Sequence, residues 1–317
     1  MRIKNTNRII EETGKSCSPF YSFVSTKTGL TKMSNLLPNV PVLTKNKRYK
    51  RVNQKNVQQF QPVYSVRLNN FFNIDGTKNK LFFVKTEQSD GSFSEPYFKK
   101  LIELNGADYL CMPVEQEEFN DKDNEFYYSL GIFCALCKSV TNKETQKSEK
   151  YLVCPKKTKI DFPFEVEDCT EDKAKLAKYK IKDNEIRQAL ISLCYGTGEK
   201  RIPETLISVP KEAINEFLRG YFILNKSEIP EKFFIENEKD AKILFFLISK
   251  ATESLCGVEG RIQDFNIYKK GNPNAFYSGG CFWIPVEKVE KLKTEVNAYT
   301  LGVDTDFSYV ADFILGK

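Results

Sequence analysis

Hydrophobic positions in this chain alternate with period two near both ends and recur at helical spacing in the middle. Residues 20–25 and 31–36 place Phe, Val, Leu and Met around a Lys-Thr-Gly turn, which predicts a β-hairpin over 17–36. The next stretch, 37–60, is rich in Pro, Asn, Gln and Lys and reads as a loop. Pro-Val-Tyr-Ser-Val-Arg-Leu at 62–68 alternates and predicts a strand. Residues 71–74 and 80–85 predict two more strands joined at Asp75-Gly76, a good turn dipeptide. A short helix over 96–104 and a strand over 108–113 complete this part.

The pattern changes near residue 118. An acidic stretch at 118–125 precedes a continuous apolar run, 126–137, which predicts a helix. Residues 151–153 are β-like, and 171–179 and 184–194 read as helical. Residues 209–224 form a strongly patterned helix with a proline near its start, and 240–255 another. From Phe276, Phe-Tyr-Ser-Gly-Gly-Cys-Phe-Trp-Ile-Pro-Val and the terminal segment return to β. The order predicts an α+β chain. A β domain over 1–117 plus 276–317 is interrupted by an inserted domain over 118–275.

Composition supports packed domains rather than disorder. The chain of 317 residues is 41% hydrophobic, with 25 Phe and 15 Tyr. No apolar run reaches 18 residues, so no membrane helix is expected. Met1-Arg-Ile-Lys-Asn-Thr-Asn-Arg8 leads into no apolar signal segment, which points to an intracellular protein, cytoplasmic or nuclear. Nine cysteines at irregular spacing imply reduced thiols, and Cys134, Cys194 and Cys256 lie inside apolar runs. Cys134 and Cys137 form a CxxC, followed by Cys154 and Cys169. That set allows a four-thiolate zinc site, but its CxxC lies in a helix-like run and favours buried core thiols. No metal or other cofactor is therefore expected from the cysteines.

The net charge of +6 is unevenly spread. Residues 1–60 hold 12 Lys/Arg against 2 Glu, which leaves −4 for the remainder. The densest segment contains Lys45, Lys47, Arg48, Lys50 and Arg51 around Tyr49. Cations mixed with Gln, Asn and an aromatic suit the phosphates of double-stranded DNA, the alternative being a solvated basic loop. Glu12-Thr-Gly-Lys-Ser16 matches the end of a phosphate-binding loop, but Ile9 stands where that pattern needs glycine.

Two segments resemble the blocks that open and close an intein. They are Cys17-Ser-Pro-Phe-Tyr-Ser-Phe-Val-Ser-Thr-Lys-Thr-Gly-Leu-Thr-Lys-Met and Tyr299-Thr-Leu-Gly-Val-Asp-Thr-Asp-Phe-Ser-Tyr-Val-Ala-Asp-Phe-Ile-Leu-Gly-Lys317. The resemblance implies a horseshoe-like, β-rich Hint domain. It also implies that Cys17 attacks its preceding carbonyl, helped by a Thr-x-x-His motif and a closing-block histidine before a terminal asparagine cyclises. The chain has no histidine at all. Thr77-Lys-Asn-Lys80 fits the second block with Lys80 in the histidine position. Phe307 follows Asp306 where the family often has Asp-His, and Lys317 ends the chain without an asparagine. A lysine of ordinary pKa is charged near pH 7 and does not replace a neutral imidazole, so splicing is expected to fail.

The middle resembles a LAGLIDADG homing endonuclease, a domain carried by many inteins. The carrier is Lys200-Arg-Ile-Pro-Glu-Thr-Leu-Ile-Ser-Val-Pro-Lys-Glu-Ala-Ile-Asn-Glu-Phe-Leu-Arg-Gly-Tyr-Phe222, with Ser129-Leu-Gly-Ile-Phe-Cys-Ala-Leu136 as the first signature helix. Gly131 and Gly220 take matching places. The resemblance implies a pseudo-twofold saddle of αββαββ type, monomeric, binding double-stranded DNA. Each signature helix would end in a carboxylate that holds Mg²⁺ for phosphodiester hydrolysis. Leu136 and Asn225 occupy those positions, with Ile223 at the other acidic place of the second motif, and neither binds a hard cation well. Three functions follow: a DNA-binding protein that no longer cuts, an active endonuclease using other acids, or a non-catalytic relic or protein-interaction module. Catalytic residues are not intact in the first and third.

Overall fold

The computed structural model describes residues 16–116, 118–120, 122–141, 148–196, 198–261, 264–271 and 274–317. The phosphate-loop-like segment ending at Ser16 lies almost wholly outside them. The chain forms two compact units. The first takes the described residues within Met1–Glu117, Glu253–Glu259 and Lys270–Lys317; the second takes those within Glu118–Thr252 and Gly260–Lys269. The sequence reading ran the insertion unbroken over 118–275. Here 253–259 and 270–275 belong with the first unit.

The first unit is β-rich. Its spine is a pair of long antiparallel strands, Tyr49–Leu68 and Cys281–Val303, in register from Val286↔Leu68 to Val303↔Val52 with four irregularities. The Pro/Asn/Gln/Lys stretch read as a loop therefore contains the strand Pro41–Leu43 and much of a 20-residue strand. Local alternation was the wrong guide here. Polar residues lie on both faces of this strand, and its hydrogen bonds go to a partner more than 200 residues away. Asp75-Gly76 is also not a turn: Ile74–Gly76 pairs with Ser65 and its neighbours, and the chain reverses just after. Residues 96–104 are the strand Tyr97–Lys100 and a 3₁₀ turn, because Tyr97–Lys100 pairs with Leu81–Thr86.

The opening and closing segments meet in this unit. Ser18 and Pro19 pair with Tyr299 and Ala298. Tyr309–Ala311 and Ile314–Gly316 form a hairpin around Asp312-Phe313, both at positive φ, and Ala311 pairs with Val24 while Gly316 pairs with Phe82. Their inward faces bury Val24, Met33, Val42, Val52, Val303 and Tyr309 together. A second cluster holds Leu43, Tyr109, Cys111, Trp283, Val310 and Leu315.

Among the described residues the second unit contains four α-helices: α1 (Asn124–Leu136), α2 (Asn184–Tyr195), α3 (Lys211–Tyr221) and α4 (Glu238–Thr252). The Asp123 carboxylate accepts from the Phe126 amide at 2.8 Å and caps α1. Asp183 caps α2 in the same way. Between α1 and α2 the strands Cys137–Thr141, Ser148–Pro155, Leu176–Ile181 and Val166–Asp168 form a four-stranded sheet in that spatial order. Residues 171–179, read as helical, thus contribute to a strand instead, since Leu152–Pro155 pairs along Leu176–Tyr179.

The αββαββ order is not reproduced. Four strands separate α1 from α2, but only Lys232–Ile235 separates α3 from α4, and Gly257–Arg261 and Asp264–Tyr268 follow. The short strand leaves α3 after a 3₁₀ turn and two residues of left-handed backbone, Lys226 and Ser227.

Candidate functional site

Cys17 is fully buried at the start of the first strand. Its amide donates to the Thr77 hydroxyl at 3.3 Å, and the Thr77 amide donates to the Cys17 carbonyl at 3.2 Å. The Thr77 hydroxyl also reaches that carbonyl, at 3.4 Å. The Cys17 thiol lies 3.1 Å from the Thr300 hydroxyl. Thr77 is held by the turn that follows Ile74–Gly76, where the Lys80 amide donates to the Thr77 carbonyl at 2.9 Å. Two residues separated by 60 positions therefore clasp each other through their backbones.

Lys80 is 1% exposed. Its ammonium donates to the Asp75 carbonyl at 3.0 Å and lies 4.9 Å from the Phe82 ring centroid. Gly76 makes room for it: a Cβ there would overlap Lys80 Cδ and touch Leu101 Cδ1 at 3.0 Å. Burial pulls the Lys80 pKa from 10.5 down to about 8, with Asp312, Asp75 and Cys17 opposing the fall. The expectation of a lysine at ordinary pKa is thus corrected, because this amine has left water. Around it the Tyr21 hydroxyl donates to Asp75 Oδ2 at 2.6 Å, and burial raises the Tyr21 pKa. Asp75 Oδ1 is buried with no hydrogen-bond partner among the described residues. Asp312 Oδ1 accepts from the Phe23 amide at 3.2 Å.

Ser16 and Lys317 converge on one residue, Leu81. The Leu81 amide donates to the Ser16 hydroxyl at 3.0 Å, and the Lys317 amide donates to the Leu81 carbonyl at 2.9 Å. Lys317 therefore lies beside the residue that precedes Cys17. Phe307 is 64% exposed at positive φ, with the Lys317 ammonium 5.7 Å from its ring centroid. Its preceding residue carries the local structure. Asp306 accepts from Arg48 Nη2 at 2.8 Å, Thr44 Oγ1 at 2.6 Å and Asn46 Nδ2 at 2.8 Å. These bonds, led by Arg48, hold its carboxyl well below the usual range. Sequence reasoning missed Thr300, Asp312 and the Ser18–Tyr309 hydroxyl pair at 2.9 Å, because each joins segments far apart in the chain.

The same Asp306 contacts change the picture of the basic loop. Arg48 is spent on Asp306 and Lys47 pairs with Glu115 at 2.6 Å. Tyr49 is not a free stacking platform: its ring packs on the Leu43–Trp283 cluster and its hydroxyl reaches Gln116 at 3.4 Å. Lys45 and Arg51 are exposed and Lys50 is half-buried.

In the second unit α1 and α3 cross at glycines. A Cβ on Gly131 would overlap the Phe217 carbonyl and lie 2.7 Å from the Tyr221 amide. One on Gly220 would overlap the Tyr128 carbonyl and lie 3.0 Å from the Ile132 amide. Backbone meets backbone there, and no other residue fits. Beyond the crossing, Leu136 is buried, and Asn225 is exposed with its amide donating to the Glu228 carbonyl at 2.7 Å.

Cys134 meets Cys194 at 3.4 Å rather than joining Cys137, Cys154 and Cys169. Among the described residues no three Cys, Asp or Glu gather as metal ligands, so the four-thiolate set is not assembled. Lys200 donates to the Cys137 carbonyl at 3.1 Å. Asp240 is the acid whose charge reaches Cys134 and Tyr221; it accepts from the Ile202 amide at 3.0 Å, and burial raises its pKa. Among the described residues no helix is long and apolar enough to cross a membrane.

No family model and no curated protein matches the chain. Among solved structures it is similar to a DnaB intein from Synechocystis sp. PCC 6803, at 7% identity and TM-score 0.36, covering 95% of this chain and 97% of that one. A variant of the Ssp DnaB mini-intein gives 9% identity and TM-score 0.37 over 95% and 93%. The MchDnaB-1 intein gives 22% identity and TM-score 0.24 over 29% and 64%. At such scores the likeness carries no weight by itself, and the functional reading rests on the contacts above.

Proposed function

We propose that the chain is derived from an intein with an inserted homing endonuclease, that it binds double-stranded DNA, and that it neither splices nor cuts. In this reading the β unit is Hint-type and the helical unit LAGLIDADG-type. The observation that carries it is the reciprocal glycine crossing of α1 and α3 followed by Leu136 and Asn225. The packing half of the signature is present and the ligand half is missing. Leucine offers Mg²⁺ nothing, and Asn225 offers one neutral amide oxygen in place of a carboxylate, so the residues do not fit the metal. DNA association would rest on Lys45, Lys50 and Arg51, with Lys47 and Arg48 tied to carboxylates.

Anisotropy with a mixed-sequence duplex tests this. If those three cations carry the binding, its log–log salt slope should be no steeper than roughly −3, at about −0.9 per phosphate contact. Replacing Lys45, Lys50 and Arg51 with alanine should flatten it. Binding that is undetectable at about 50 mM salt would leave the relic or interaction-module reading. Mg²⁺-dependent plasmid nicking would establish the endonuclease reading, with Asp240→Asn the first variant to test. The clasp between Cys17 and Thr77 favours a second reading, in which slow thiol-induced cleavage at Ser16–Cys17 persists without ligation. Incubation with dithiothreitol and intact-mass analysis decides it.

A further inference from the structure

Two pairs of cysteines are in contact, and they differ in access to water. Cys134 and Cys194 lie between α1 and α2, both buried. Cys111 and Cys281 lie on neighbouring antiparallel strands. Cys111 stands opposite Trp283, and Cys281 stands opposite Pro113, so the two are diagonal neighbours on one face. Their thiols are hydrogen-bonded to each other. Cys111 is fully buried, whereas Cys281 is half-buried and follows directly on the tight Gly279-Gly280 turn, both glycines at positive φ. The Lys47–Glu115 pair lies over Gly280, where a Cβ would overlap both side chains. Lys85 lies 5.0 Å from the Trp283 ring centroid.

We infer that Cys281 and Cys111 form a peroxide-reactive dithiol, Cys281 attacking and Cys111 resolving. The hydrogen bond from Cys111 holds the Cys281 thiol below its ordinary pKa; Lys47 and Lys85 add to this, while burial and Glu115 oppose it. Burial pushes the Cys111 thiol up, as befits a group that stays protonated until its turn. The thiolate is the nucleophile, so exposure and charge both select Cys281 as the first to react. Cys281 Sγ attacks one peroxide oxygen. The S–O bond forms, the O–O bond breaks, and hydroxide leaves, taking a proton to become water. Cys111 Sγ then attacks the Cys281 sulfur, displacing its oxygen as a second water. Two thiols lose two electrons in all, and both peroxide oxygens are reduced to water. A diagonal pair needs a small backbone shift to reach disulfide geometry, and Cys281, first in its strand after the Gly279-Gly280 turn, is placed to make it.

The whole chain, reduced and then exposed to a small molar excess of hydrogen peroxide, tests the inference. Free thiols are alkylated under denaturing conditions and the peptides mapped. The expected product is a Cys111–Cys281 disulfide, with Cys134 and Cys194 still alkylated. Trp283 is the one tryptophan of the chain and stands opposite Cys111, so its emission should fall on oxidation and recover with dithiothreitol. Cys281 should be consumed on the order of tenfold faster than Cys169, the other half-exposed thiol, whose pKa burial raises. In Cys111→Ser the sulfenic acid should persist on Cys281 and be trapped by dimedone. A Cys134–Cys194 crosslink in place of the expected one would overturn the inference. So would Cys281 reacting no faster than Cys169 in the unmutated chain, or peroxide uptake that leaves no internal disulfide.

Discussion

The Cys17 clasp and the glycine crossing of α1 and α3 are both built from backbone contacts, but they differ in the side chains that stand beside them. At the clasp stands Lys80, a titratable amine buried beside Asp75, Asp312 and Cys17. At the crossing, Leu136 and Asn225 provide no titratable group at all. The first site is still an electrostatic device, and the second is a packing device. Backbone-to-backbone contacts depend on glycine and on strand register, whereas chemistry depends on one or two side chains.

The crossing should respond most strongly to added volume. Gly131→Leu and Gly220→Leu should each destabilise the protein by about 3 kcal/mol or more, because the added atoms fall on opposing backbone that cannot rotate away. The double variant should lose less than the sum, since one displacement of the helices relieves both clashes. Chemical denaturation followed by circular dichroism measures this. Additive or negligible effects would remove the close crossing from the account.

The clasp should respond to pH instead. The Lys80 pKa is lower in the folded chain, at about 8, than its ordinary 10.5. Between those values the unfolded chain binds more protons, so the stability difference should rise with pH. Below pH 8 the protein carries the cost of a buried ammonium, and that cost is relieved as pH climbs towards 10.5. Full relief is worth about 3 kcal/mol at most, from 1.4 kcal/mol per unit. Lys80→Met keeps the volume and removes the titration, so subtracting its stability curve from that of the unmodified chain isolates the effect. Tyr21 and Tyr309, raised by burial, act in the opposite direction above pH 10 and cancel in the subtraction. A flat difference between pH 8 and 10 would mean that Lys80 stays charged across that range in the folded chain, its pKa not lowered by burial.

The two regions were also unequally legible in the sequence. Helix α1 announced itself as an unbroken apolar run and α3 as an amphipathic one, and the two glycines could be matched by spacing alone. The strand Tyr49–Leu68 was half hidden, because Gln54, Asn56, Gln58 and Gln61 pair through backbone to a strand near the other end of the chain. Asp75-Gly76 has the composition of a turn, but pairing with Tyr64 and Ser65 fixes it as strand. Cys17, Thr77 and Lys80 could be named from motif spacing. The burial that alters Lys80 could not, since Leu101 and Asp312 arrive from two distant segments. The basic loop misled for a related reason: Asp306 and Glu115, which neutralise Arg48 and Lys47, are distant in sequence.

We propose that the clasp of Cys17 and Thr77 is a splicing arrangement without splicing chemistry. Intact-mass analysis of residues 1–317 expressed between two tags tests it most directly. The account predicts a single full-length species with both tags attached, or at most a slow thiol-dependent break between Ser16 and Cys17. A ligated product joining the two tags, with residues 17–317 released as a separate chain, would contradict it.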